Sequence, residues 1–185
     1  MRFVRTYAGA VDDALAAELT ALSGGVKMDE DWRRCSITPV VGDVSERFRR
    51  VVRDCFADYR AVASRRTLNA CTQLERPSVV RYEPSTDRIE HFVEHADAGG
   101  ILTATRQISV IAYLNDVVRG GETVFPGFDY SQRCEKGTVL LFPSNFIYQH
   151  LARPPESGPK IVVATWLHFG NNGVLKTITT PLGRP

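Results

Sequence analysis

The stretch "GTVLLFPSNFIYQHLARPPESGPKIVVATWLHF", residues 137–169, decides the fold. It holds two runs, "GTVLLFP" (137–143) and "KIVVATWLHF" (160–169), dense in valine, isoleucine, threonine and aromatics, the residue types that suit a pleated surface. "PPESGP" (154–159) lies ahead of the second run and is turn chemistry. Working outward, "SVVRYE" (78–83), "QISVIAYLND" (107–116) and "ETVFP" (122–126) repeat the texture, with "RGGE" (119–122) and "EKG" (135–137) as further turns. Strands this short and evenly spaced, with no helix between them, predict a sandwich or barrel.

Before residue 77 the pattern changes. "DDALAAELTALSG" (12–24) sets Leu15, Leu19 and Leu22 at helical spacing, with acids at its start and glycine at its end. "SERFRRVVRDCFADYRAVAS" (45–64) gathers Phe48, Val51, Val52, Cys55, Phe56 and Tyr59 on one face, with Ser45 as its expected N-cap. Helices first and antiparallel strands after predict an α+β chain dominated by a β-barrel. The expectation is one domain over 1–185, with 1–75 a mainly helical support and 76–171 the barrel. A chain of 185 residues buries a core without staples.

Composition narrows the partners. Twenty-three Lys and Arg against 21 Asp and Glu leave a net charge of +2, which gives no reason to expect nucleic acid or an anionic membrane. No apolar run approaches the roughly 18 residues of a membrane helix. Asp12, Asp13 and Glu18 interrupt what would be the apolar core of a signal peptide. Cys35, Cys55, Cys71 and Cys134 form no CxxC pair, so free thiols and a cytoplasmic setting are expected.

"RIEHFVEHADAGG" (88–100) brings His91, His95 and Asp97 close in sequence. In an extended strand, residues two apart point the same way, so His95 and Asp97 can reach one point. At about 3.3 Å per residue, His91 stands some 13 Å from His95 and cannot share that point. The helical alternative would pair His91 with His95, but metalloprotease motifs carry Glu after the first His, and Phe92 stands here. An H-x-D pair alone is weak. His150, near the end of another apolar run, supplies the second imidazole. Two imidazoles and one carboxylate on one face of an ion are the arrangement of non-haem Fe(II) oxygenases.

"HAD" (95–97), "YLNDVVRGGETVFP" (113–126), "KGTVLLFPSNFIYQH" (136–150) and "PKIVVATWLHF" (159–169), in that order and spacing, resemble the 2-oxoglutarate- and Fe(II)-dependent dioxygenases, the prolyl 4-hydroxylase-like branch in particular. The resemblance covers about residues 76–170. It implies a double-stranded β-helix (jelly-roll) barrel braced by the N-terminal helices, with His95, Asp97 and His150 as iron ligands. It places Lys160 against the distal carboxylate of 2-oxoglutarate. A dicarboxylic cosubstrate held at the metal by one end needs a cation at the other, although a lysine opening a strand is commonly solvated.

Tyr113 and Tyr82 match positions that contact the cosubstrate, and Thr165 is a candidate supporting hydroxyl; all three are equally normal sheet residues. Arg106 and Trp166 match positions that face the primary substrate in prolyl hydroxylases, and core packing explains Trp166 equally well. His91 and His168 are expected beside the site or on the surface.

The implied reaction is hydroxylation of an unactivated C–H bond with O₂, releasing succinate and CO₂, with ascorbate as reductant. Halogenases of the family replace the carboxylate ligand with a small residue, so Asp97 accords with hydroxylation. The implied substrate is a prolyl residue in a peptide or protein, or a related amino acid; a free amino acid or natural product is the alternative. The family pattern Y-x-x-G-x-x-F-x-x-H-x-D is lengthened here by four residues, and "YEPSTDRIEHFVEHAD" (82–97) lacks the glycine. The changed loop between Tyr82 and His91 is expected to shape the substrate entrance.

Three rivals are weaker. Nucleic-acid demethylases anchor the cosubstrate with arginine and need a basic groove. A non-catalytic ligand-binding barrel would have lost a ligand or the cation. A cupin-like enzyme would carry H-x-H-x-E.

Overall fold

The β-rich runs form antiparallel strands that curl around a cavity. A computed structural model describes residues 2–63, 68, 71–84, 89–170 and 179–181. The first part contains β1 (Arg5–Tyr7), α1 (Asp13–Ala21), β2 (Val26–Glu30), β3 (Arg33–Pro39), α2 (Gly42–Ala63) and β4 (Cys71–Glu75). It continues through β5 (Ser78–Tyr82), β6 (Phe92–His95), β7 (Arg106–Tyr113), β8 (Thr123–Phe125) and β9 (Tyr130–Gln132). The last strands are β10 (Val139–Pro143), β11 (His150–Ala152), β12 (Lys160–Phe169) and β13 (Thr179–Pro181).

Hydrogen-bonded neighbours run β1-β10-β7-β12-β5-β3-β6-β11-β8-β9, with β4 also on β12. This curled antiparallel sheet is the double-stranded β-helix, and two helices brace it.

Strand β12 divides the interior. Ile161, Val163 and Leu167 face a core that includes Leu19, Phe48, Val52 and Phe56 from the helices. Lys160, Val162, Ala164 and Trp166, on the opposite parity, line the cavity. Asp12 caps α1 by accepting the Leu15 amide at 2.8 Å, and Leu15, Ala16 and Leu19 are buried below it. Leu22 falls at the C-cap, 36% exposed, outside the core.

Two expectations need correction. Helix α2 starts at Gly42, whose φ of +71° is an entry that a side chain would resist, so Ser45 lies buried within the helix and is no N-cap. The N-terminal region also holds strands that the sequence reading left out. Strands β2 and β3 form a hairpin, and β3 enters the sheet beside β5 and β6. Charged residues dilute the β-branched and aromatic content of "VKMDE" (26–30) and "RRCSITP" (33–39), which concealed them. Of the altered loop between Tyr82 and His91, residues 85–88 lie outside the described ones.

The "RGGE" turn is built on close approach. A Cβ on Gly120 would stand 2.3 Å from the Pro154 carbonyl oxygen, and φ there is +71°. Among the described residues no helix is long and apolar enough to cross a membrane. The four cysteines are buried and free.

Candidate active site

Strand pairing assembles the histidines. β6 and β11 run antiparallel with His95 directly opposite His150. Asp97 follows two residues after His95, in the turn beyond the strand. Each imidazole is oriented by its own backbone: His95 Nδ1 lies 2.8 Å from the Val93 carbonyl and His150 Nδ1 lies 3.2 Å from that of Tyr148. Donation from Nδ1 leaves the Nε2 lone pair of each ring free. The two Nε2 atoms lie 3.5 and 3.7 Å from the Asp97 carboxylate oxygens. Those gaps are too long for good hydrogen bonds and suit three donors around one ion. The three ligand atoms fall within 4.8 Å of one another. Two imidazoles and a carboxylate are the donor set of a divalent transition metal, so the residues fit ferrous iron.

Burial disfavours charge on Asp97, yet His95, His150 and the Ser109 hydroxyl outweigh it and hold the carboxyl well below the usual range. Ser109 Oγ donates to Asp97 Oδ2 at 2.5 Å and lies 2.9 Å from Ser144 Oγ. Burial pushes His150 down to about 4, against the attraction of Asp97. A neutral, ligand-ready imidazole beside an ionised carboxylate is what metal binding requires.

The triad opens on a cavity of about 470 Å³. Lys160 lines it and is fully buried, and burial pushes its ammonium down to about 8. Its Nζ lies 3.4 Å from Thr123 Oγ1, which also accepts the Tyr113 hydroxyl at 2.8 Å. The Tyr82 and Tyr113 ring centroids stand 5.6 and 5.8 Å from Nζ. Tyr82 lines the cavity; Tyr113 reaches the same group through Thr123. No carboxylate pairs with Lys160 among the described residues, so this end of the cavity is suited to an anion.

Arg106 and Trp166 line the cavity too, the guanidinium 3.5 Å from the indole centroid. Arg106 is not a free cation. It donates to Glu75 through Nε at 2.9 Å and Nη2 at 2.5 Å. His168, fully buried, lies 2.9 Å from the same carboxylate. Burial opposes the Glu75 charge, but His168 and Arg106 overcome it and keep the carboxyl low.

Thr165 must be removed from the pocket. Five positions from Lys160 on one strand, it points to the opposite side and donates to the Glu75 carbonyl at 2.6 Å. His91 is also apart from the triad: its ring nitrogens lie 3.0 and 3.2 Å from the Ile89 and Asp31 carbonyls.

Sequence reasoning missed Trp32, Arg33, Ser109, Thr123 and Glu75. The first four line the cavity, and Glu75 holds Arg106. Ser109 and Thr123 had a usable signal, since each falls in a recognised strand. Nothing local marked the others.

Residues 77–168 match the model of the 2OG-Fe(II) oxygenase superfamily. A PKHD-type hydroxylase of Crocosphaera subtropica is 30% identical over 95 residues, covering 48% of this chain and 40% of that relative. The chain therefore spans less than half of that relative's length. The fold is similar to a viral collagen prolyl hydroxylase from Paramecium bursaria Chlorella virus-1, in a 2OG complex. That match has a TM-score of 0.69 and 18% identity, covering 91% of this chain and 97% of the other. It is similar also to a Pseudomonas putida prolyl-4-hydroxylase, with a TM-score of 0.69 and 14% identity over 92% and 95% of the two chains.

Proposed function

The chain belongs, through residues 77–168, to the 2OG-Fe(II) oxygenase superfamily; from that premise we propose that it hydroxylates an unactivated C–H bond of a prolyl residue or a related amino-acid substrate. The observation that carries this reading is the convergence of His95, Asp97 and His150 on one point of a cavity that also holds the buried Lys160. In the proposal residues 76–171 form the catalytic core. The earlier helices brace it, and the β2–β3 hairpin closes one side.

His95, Asp97 and His150 would hold Fe(II), which with O₂ and 2-oxoglutarate supplies the oxidant as the cosubstrate becomes succinate and CO₂. The protein's own contribution is orientation. The carbonyls of Val93 and Tyr148 fix the imidazole tautomers, and Ser109 fixes one carboxylate oxygen. Lys160 offers its ammonium to the distal carboxylate of 2-oxoglutarate, with Thr123, Tyr113 and Tyr82 around that end. Apolar Val162, Ile111 and Leu151 in the lining keep water from the reacting centre. Arg106, tied to Glu75 and donating to the Asp97 carbonyl at 3.4 Å, steadies the turn that carries the carboxylate.

The test is succinate release by purified protein supplied with Fe(II), ascorbate and 2-oxoglutarate, alone and with prolyl peptides or free amino acids. Slow release without substrate and faster release with one are expected. No release against a broad panel, with no 2-oxoglutarate binding by calorimetry, would refute the reading.

A further inference from the structure

Three cationic side chains line the cavity: Arg33, Arg106 and Lys160. Arg106 is neutralised by Glu75. Lys160 serves the cosubstrate in the function proposed above. Arg33 is left over, and its surroundings contain no protein carboxylate that pairs with it among the described residues. Of the hairpin's acids, Asp29 and Asp31 lie 3.2 Å from Arg34, and Glu30, exposed and opposite Arg33 in the strand pair, comes within ion-pair distance of no cation among the described residues. Arg33 Nε is buried without a hydrogen-bond partner.

The position of Arg33 is held from three sides. Its strand pairs with β6 at Phe92. Its guanidinium carbon lies 4.7 Å from the Phe92 ring centroid, and that ring stacks on His95 with centroids 3.5 Å apart. The guanidinium also donates to the Tyr82 hydroxyl oxygen. The guanidinium is therefore pre-positioned one aromatic ring from a metal-facing imidazole, on a rigid strand, with donors to spare. A partly desolvated guanidinium with no counter-ion is costly unless a ligand supplies the anion, and its planar fork matches a carboxylate.

We infer that Arg33 receives a carboxylate of the primary substrate, which makes that substrate a free amino acid or another small carboxylic acid rather than an internal residue of a polypeptide. The inference rests on the hydroxylase reading and narrows its substrate class. An internal peptide residue brings neutral amides to this wall of the cavity unless an acidic neighbour supplies a carboxylate, whereas a small acid carries its own and places it one aromatic ring from His95.

The experiment compares free amino acids with their carboxamides, and a proline-containing peptide acid with its amidated form. Succinate release is one readout. The other is calorimetric binding to the Mn(II)-loaded protein saturated with 2-oxoglutarate. A free acid should bind at least tenfold tighter than its amide. Arg33→Gln should raise the KM and Kd for the acid tenfold or more with the 2-oxoglutarate requirement unchanged, and Arg33→Lys should restore part of the loss. Preference for the peptide acid over both free acid and amidated peptide would overturn the small-molecule assignment. Equal binding of acid and amide while 2-oxoglutarate still binds would overturn the inference alone. Failure of the wild-type protein to bind 2-oxoglutarate would overturn it together with the reading beneath it. A raised 2-oxoglutarate requirement in Arg33→Gln would overturn it by giving the guanidinium to the cosubstrate.

Discussion

Between the helices and the sheet, Leu19, Phe48, Val52, Phe56, Val163 and Leu167 pack into a dry core. Across the same sheet, Tyr82, Phe125, Phe142 and Val162 form a second apolar cluster, and in their midst stand Asp97, His150 and Lys160. Strand β12 serves both sides, and one step along it exchanges one environment for the other. The first region stabilises through apolar area removed from water, at roughly 25 cal/mol per Å². The second buries the Lys160 ammonium, a cost that an anionic ligand would offset, whereas the Asp97 carboxylate is held by His95, His150 and Ser109. Stability and chemistry are thus divided by side-chain parity on shared strands.

This division makes sharp predictions. The largest effect is expected at Asp97. Asp97→Ala should eliminate Fe(II) binding, measured anaerobically by calorimetry. Retained iron affinity would break the comparison from the chemical side. On the other face, Phe56→Ala should cost about 3–5 kcal/mol in urea unfolding. The folded fraction should keep its affinity for 2-oxoglutarate. A coupled loss of affinity would show that the two interiors are not independent.

Lys160→Met should raise the 2-oxoglutarate Kd about a hundredfold, roughly 2.7 kcal/mol, while the metal-free fold melts no lower. The sign follows from burial. The Lys160 ammonium is pushed down to about 8, so the folded chain binds fewer protons than the unfolded one above that pH, and this residue's destabilisation fades as pH rises. Affinity for 2-oxoglutarate should run the other way, level below pH 8 and falling above it as the free lysine loses its charge. The smallest effect is expected at His91, whose ring bonds only to backbone carbonyls outside the triad. His91→Ala should leave metal affinity within twofold, and an emptied site would mean the wrong histidine has been placed in it.

Much of the core and the triad was legible because each depends on local rules. Runs of β-branched and aromatic residues marked β5, β7, β10 and β12. The H-x-D pair gained weight only with His150 and with the family pattern around it. The two faces of a strand put Thr165 on the side of β12 away from Lys160. The β2–β3 hairpin was hidden because charged residues dilute its β-branched and aromatic content. Glu75 and Arg33 carried no local mark: an acid at a strand end and an arginine in a hairpin are ordinary surface residues until the chain folds. Their meaning comes from what stands opposite them, Arg106 and His168 for one, Phe92 and Tyr82 for the other.

By itself the order of residues determined the barrel, the donor types and the presence of a cation fit for a second carboxylate, because side-chain chemistry and strand composition are written locally. Only the tertiary structure decided which cations are spent and which are left for ligands. Charge compensation is a pairing across space, and Glu75 reaches Arg106 over thirty-one positions of chain that no local pattern spans.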